Sequence, residues 1–214
     1  MLKMAFADQS ISAFVDALAS AEPTPGGGTA AAVAGAIGTS LLMMVGGLPK
    51  TRGNSDAERV QLSEARAALT AIRHRMLALA DEDTDAYNLV IAAYKLPKAT
   101  DEQKAARKEA VRTAMRAATE APLETLRATA EAVKISRVVA QFGNPSAASD
   151  VRVALELLEA AAAGASANVE INLTSLDDEA YRKASASTMI ELGNALSEDC
   201  AAARAALNAP QPVS

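Results

Sequence analysis

The sequence predicts an all-α protein, an antiparallel helical bundle with long helices. Three observations carry this. First, Ala dominates the 214 residues, aromatics make up only 3% and Trp is absent. Ala is the best helix former and fills little volume, so its excess favours closely packed helices. Second, apolar residues recur three or four positions apart over long stretches, the spacing of one helix face. Third, there is no sustained alternation of Val, Ile, Thr and aromatics bounded by turns, so no strand is expected.

The elements follow in order. Ser10 or Ser12 caps a short helix over 11–20. PTPGGGT at 23–29 is a loop, and an apolar helix follows over 29–47. Residues 30–48 carry no charged side chain, long enough to pass a membrane test. Four glycines, Thr39, Ser40 and many Ala favour instead a central helix buried on all sides. Ala31 to Gly35 and Ala34 to Gly38 place small residues four apart, where a neighbouring backbone can come close. GLPKTRGNSD is a loop, and Ser55 or Asp56 caps a long helix over 56–94 that stops before Pro97. Thr100 or Asp101 starts another, which Pro122 kinks or divides. QFGNPSAASD is the next break, with Ser149 or Asp150 as a helix cap, then a helix over 147–173. LTSLDD is a joint, and a last helix covers 177–207 before a loose tail. No repeat or shift in composition marks a second domain, so 1–214 reads as one domain.

Composition narrows the chemistry. A net charge of −5 argues against nucleic acid as the main partner. The single cysteine, Cys200, excludes an intramolecular disulfide and suits the cytoplasm; it falls on an apolar stripe, as a core residue. MLKMAFADQS lacks the apolar stretch of a signal peptide. His74, between Arg73 and Arg75, lies off the apolar stripe, which disfavours a His-based triad. One His and one Cys do not make a zinc site. PTPGGGT lacks the GK[ST] of a P-loop and the spacing of a dinucleotide fingerprint.

The long helix holds the anomaly. Leu62, Leu69, Ile72, Met76, Leu79, Tyr87, Val90 and Tyr94 form one face, and Asp83 fills the gap between Leu79 and Tyr87. A carboxylate pointing inward is costly unless paired or hydrogen-bonded. It either pairs with a cation from another helix or, with its pKa raised by burial, performs acid–base work. Lys95, twelve residues on, lies roughly 18 Å further along the axis. It either steadies the helix C-terminus, or shares the site from another subunit, or serves a different part of a ligand. Asn144, Ser149 and Asp150 offer polar groups at a site edge. Asn168 and Asn172, four apart, either bond helix to helix or face a ligand.

Three stretches in order extend the reading: PTPGGGTAAAVAGAIG, then DEDTDAYNLVIAAYKLPK, then GNPSAASDVRVALELLEAAAAGASANVEINLTSLDD. Together, over about 10–207, they resemble the formimidoyltetrahydrofolate cyclodeaminase / methenyltetrahydrofolate cyclohydrolase family. The resemblance implies an all-helical homodimer acting on one-carbon units attached to tetrahydrofolate, without metal or redox cofactor. It implies a folate site in a groove of the bundle near the subunit interface, bordered by the Gly-rich loop and the DED stretch. Substrate-binding candidates are then Pro25, Gly26, Gly27, Gly28, Thr29, Tyr87, Asn144, Ser149, Asp150, Asn168 and Asn172, with Lys95 and Lys98 meeting the glutamate tail. Asp83 is the expected acid/base, and Asp81 the second candidate. In the cyclohydrolase, water adds to the cationic amidinium carbon of 5,10-methenyltetrahydrofolate and the adduct opens to 10-formyltetrahydrofolate. In the cyclodeaminase, N10 attacks the formimino carbon and ammonia leaves. Because no formiminotransferase domain is attached, the cyclohydrolase is favoured. A non-catalytic helical binding module is the alternative of another class.

Overall fold

A computed structural model describes residues 5–209. Among them the chain forms six α-helices: α1 (Ile11–Leu18), α2 (Gly27–Gly46), α3 (Asp56–Tyr94), α4 (Asp101–Phe142), α5 (Ala148–Leu173) and α6 (Glu179–Asn208). Short connections make successive long helices antiparallel. α2 packs along α3 and α5, α4 packs against α3, α5 and α6, and α6 rests mainly on α4.

Capping sets the helix starts. Ser10 accepts from the Ala13 N–H at the head of α1. Ser55 with Glu58 and Thr100 with Gln103 form reciprocal capping boxes on α3 and α4. Asp178 accepts from the Tyr181 N–H and starts α6. The cap expected at Ser149 or Asp150 does not form. Asn144 accepts from the Ser146 N–H and opens a 3-10 turn, Pro145–Ala147, which leads directly into α5. At the far end, Leu207 and Asn208 remain helical, Ala209 is the C-cap of α6, and 210–214 of the expected loose tail lie outside the described residues.

Leu42, Leu62, Leu69, Met76, Leu126 and Leu155 are fully buried in the main core. Each contributes about 1.5–3 kcal/mol by leaving water. The small-residue spacing on α2 has the expected consequence: a Cβ at Gly38 would lie 2.9 Å from the Ala154 carbonyl oxygen of α5. The uncharged helix is not buried on all sides, however. Ile37 and Met44 are 50% and 42% exposed, because α3 and α5 cover only part of its circumference. By length and composition α2 is apolar enough to cross a membrane, and 56% of its apolar window is buried inside the protein.

Pro122 neither ends nor divides α4, which runs unbroken past it. Proline lacks the N–H that would bond the carbonyl four residues earlier, here Ala118. The Asn172 side chain of α5 donates to that carbonyl at 2.7 Å. A neighbouring helix thus supplies the donor that the proline removes.

Candidate functional site

Four helices and one loop enclose a cavity of about 310 Å3. Its walls are Pro23, Thr24, Gly26, Gly27 and Gly28 at the head of α2, then Asp83, Tyr87 and Val90 on α3. Met115 and Ala118 of α4 and Asn168, Ile171 and Asn172 of α5 complete it.

The glycines sit differently from the sequence expectation. α2 begins at Gly27, so Gly27 and Gly28 are its first turn and Gly26 is the N-cap, without a side chain to cap it. Helix-start amides have no intrahelical acceptor, so this end offers N–H groups beside the cavity. Glycine lowers helix stability, yet space demands it here. A Cβ on Gly28 would lie 2.2 Å from Asp83 Oδ1 and 2.6 Å from its carboxyl carbon. The two residues require each other's shape.

Asp83 is held from behind. The Thr29 hydroxyl, fully buried, donates to Asp83 Oδ2 at 3.0 Å. Burial pushes the Asp83 carboxyl above the usual carboxylate range, while the Thr29 hydroxyl and backbone N–H pull the other way. No Lys, Arg or His lines the cavity among the described residues. The ion-pair explanation for Asp83 therefore has no partner in this cavity, and the carboxyl stands as a partly buried group with a raised pKa.

The structure separates other sequence candidates from Asp83. Asp81 accepts from the Phe6 N–H at 3.2 Å and ties the N-terminal turn to α3, outside the cavity. The separation follows from two residues of helix, which turn a side chain by more than half a circle. Pro25 is not a lining residue, although its neighbours are. Tyr87 and Tyr94, placed on the apolar stripe, are 37% and 48% exposed; α3 turns both to open grooves at this end of the bundle. Asn168 donates to the Gly164 carbonyl of its own helix at 2.8 Å and Asn172 to Ala118, and both still border the cavity. Asn144, Ser149 and Asp150 lie at the opposite end of α5. From Asp150 to Asn168 is eighteen residues of helix, roughly 27 Å. One chain does not bring them to Asp83.

A second cavity of about 350 Å3 lies further along the same helices. Tyr94 on α3, Val111 on α4 and Leu176 after α5 line it, one or two turns beyond Tyr87, Met115 and Asn172. Lys98, Lys104, Arg107, Lys108 and Arg112 surround it against one carboxylate, Asp177. Lys95, the C-cap of α3, is exposed and outside it. Of these, Lys98, between α3 and α4, is the candidate the resemblance supplied; Lys104, Arg107, Lys108 and Arg112 were hidden, being spread along α4 as ordinary surface residues. Met115 and Ala118 were equally hidden, being indistinguishable from core positions by spacing. Among the described residues no three His, Cys, Asp or Glu side chains gather as metal ligands.

The family described as formiminotransferase-cyclodeaminase matches residues 10–191, most of the length. The chain belongs to this family. Its relatives include a methenyltetrahydrofolate cyclohydrolase of Methylorubrum extorquens, 36% identical over 174 residues, covering 81% of this chain and 84% of the relative. The formimidoyltransferase-cyclodeaminase of Rattus norvegicus is 32% identical over 176 residues, covering 82% of this chain but 32% of that longer protein. A crystal structure of formiminotetrahydrofolate cyclodeaminase from Thermotoga maritima superposes with a TM-score of 0.84 at 25% identity, covering 94% of this chain and 96% of its own. The family thus joins two named reactions on one helical scaffold, and the cavity at the head of α2 is where this member holds a partly buried carboxyl.

Proposed function

We infer that this family member hydrolyses 5,10-methenyltetrahydrofolate to 10-formyltetrahydrofolate, with Asp83 moving the proton. The observation that carries the reading is Asp83 itself: a carboxyl with a raised pKa, fixed against Gly28 and Thr29 in the wall of a cavity. The identity to the Methylorubrum cyclohydrolase over most of both chains supports this choice of reaction.

Water bonds to the amidinium carbon and gives a proton to Asp83. The C–N5 bond then breaks while N5 takes the proton from Asp83, and the adduct's hydroxyl proton leaves in turn. One proton goes to solvent overall. A well-placed acid–base group contributes typically about 10²–10⁴-fold. Ionised Asp83 also favours the cationic carbon by charge. The glycine amides of α2 and the amides of Asn168 and Asn172 suit the polar edge of the pterin ring. The p-aminobenzoyl group would lie along Tyr87, Val90 and Met115. The glutamate tail would then enter the basic cavity, where Lys98 and Lys104 meet its carboxylates. No metal or redox cofactor takes part in this scheme, and the reaction is placed in the cytoplasm.

Cyclodeamination of formimidoyltetrahydrofolate passes through a similar tetrahedral carbon, and the relation to the Rattus and Thermotoga enzymes favours it as the second reading. A homodimer belongs to the same proposal. It would give Asn144, Ser149 and Asp150 a route to a partner's site, and sedimentation of the purified protein reads it.

The test follows loss of methenyl absorbance on 5,10-methenyltetrahydrofolate against the uncatalysed rate, with Asp83→Asn in parallel. Acceleration that disappears in the folded variant is the expected result. No acceleration by the wild type overturns the cyclohydrolase reading, and ammonia release from 5-formimidoyltetrahydrofolate then decides for the second. Silence in both assays leaves the non-catalytic binding module.

A further inference from the structure

The Thr29 hydroxyl has more neighbours than it has protons. Its Oγ1 lies 3.0 Å from Asp83 Oδ2, 3.3 Å from the Ala80 carbonyl oxygen and 3.2 Å from Thr84 Oγ1. A hydroxyl donates once and accepts through two lone pairs. The carbonyl and an ionised carboxylate only accept, whereas Thr84 can donate or accept. Thr29 therefore serves Asp83 or Ala80, never both at once.

The protonation state of Asp83 decides which. Against the ionised carboxylate, the proton goes to Oδ2, which is nearer and charged. Once Asp83 is protonated on Oδ1, beside Gly28 on the cavity wall, Oδ2 is a neutral and weaker acceptor. The Thr29 proton then turns to the Ala80 carbonyl, within reach at 3.3 Å. That carbonyl sits inside α3, where the backbone N–H four residues on already satisfies it. Leaving it idle in the other state orphans nothing.

We propose that Thr29 is a positioning residue whose hydroxyl switches its proton between Asp83 Oδ2 and the Ala80 carbonyl as Asp83 loses and gains a proton. Asp83 can then act first as base and later as acid while its carboxyl stays in place. With the Thr29 proton committed to one acceptor or the other, Thr84, 4% exposed on α3, is left to donate to Thr29 and fixes the rotor's axis. The surroundings leave this task to Thr29. α2 has no charged side chain, α4 presents Met115 and Ala118, and α5 presents Asn168, Ile171 and Asn172. The other ionisable group on the cavity wall is Tyr87, on α3 itself.

The inference rests on the reading of Asp83 as the proton carrier, and its test separates the two. The carboxyl of Asp83 is titrated by NMR in protein labelled with 13C-aspartate, using Asp83→Asn to assign the signal. Wild type is compared with Thr29→Ser and with Thr29→Val, which keeps the shape without the hydroxyl; Thr29→Ala replaces it if the valine variant does not fold. Removing the hydroxyl is expected to move the Asp83 titration upward, and serine to restore it. In the methenyl assay the valine variant should lose about ten- to hundredfold in kcat. KM should hold, the acid limb should shift the same way, and serine should recover the rate. An unchanged titration, or a shifted titration with kcat intact, overturns the switch. If no form of the protein turns over substrate, the proposed function fails, and the titration still decides whether Thr29 controls the Asp83 proton.

Discussion

Gly28→Ala tests whether the head of α2 exists to seat Asp83. The added Cβ would stand 2.2 Å from Oδ1 and 2.7 Å from Oδ2, where real contacts stay above 3.0 Å. The obstruction is the carboxyl of a short side chain, which Thr29 also holds on its far side. The carboxyl must therefore retreat by roughly 0.8 Å and give up the Thr29 bond. A misplacement of about 1 Å at a reacting group costs on the order of a hundredfold in rate, or about 2.7 kcal/mol of barrier. Stability should move little: Ala in place of a helical Gly gains about 0.5–1 kcal/mol, which offsets a lost hydrogen bond of about 1 kcal/mol. The assay pairs kcat for methenyl hydrolysis with thermal unfolding. The expected signature is about a hundredfold loss with Tm within about 3 °C. Full activity in Gly28→Ala would refute the argument, since Asp83 would not then need its present position.

Three further outcomes follow from the same geometry. Burial raises the folded-state pKa of Asp83, so this group's contribution to stability is complete below the unfolded value of about 3.9 and is lost as pH rises through the folded value. Asp83→Asn should accordingly gain Tm relative to wild type across that window while losing activity, and wild-type kcat/KM should fall as pH drops through it; parallel Tm curves would contradict this. Asn172→Ala orphans the Ala118 carbonyl and should cost about 1–3 kcal/mol in urea unfolding, but much less alongside Pro122→Ala, which restores the missing backbone donor. Equal costs in both backgrounds would show that the bond does not compensate for the proline. Lys98→Glu and Lys104→Glu should each raise KM for an oligoglutamyl substrate by about two- to fivefold, with kcat unchanged and the effect fading in salt; an equal rise for a substrate without glutamate would place the tail elsewhere.

The local code of this chain was legible without tertiary information. Ser10, Ser55 and Thr100 cap where their side chains and the following sequence say they should. The inward Asp83 stood out because a carboxylate broke a stripe of apolar residues at helical spacing. These features depend on contacts within a turn or two of helix, and the sequence spells such contacts directly. What lies across helices was not legible. PTPGGGT reads as a loop by propensity, yet Gly27 and Gly28 are helical because the gain from close approach to Asp83, fifty-odd residues away, is invisible in local preferences. Pro122 reads as a kink or a division, and the Asn172 side chain of another helix supplies the donor with which α4 runs through it unbroken. Asn144 and Asp150 resemble site residues by type, but the rigid length of α5 carries them to the opposite end of the bundle. The basic cluster on α4 became a cavity wall only when α3 and the end of α5 closed beside it. Sequence alone determined the helices and the odd carboxylate. Packing decided which groups the carboxylate meets, because that depends on distances between helices that no single helix encodes.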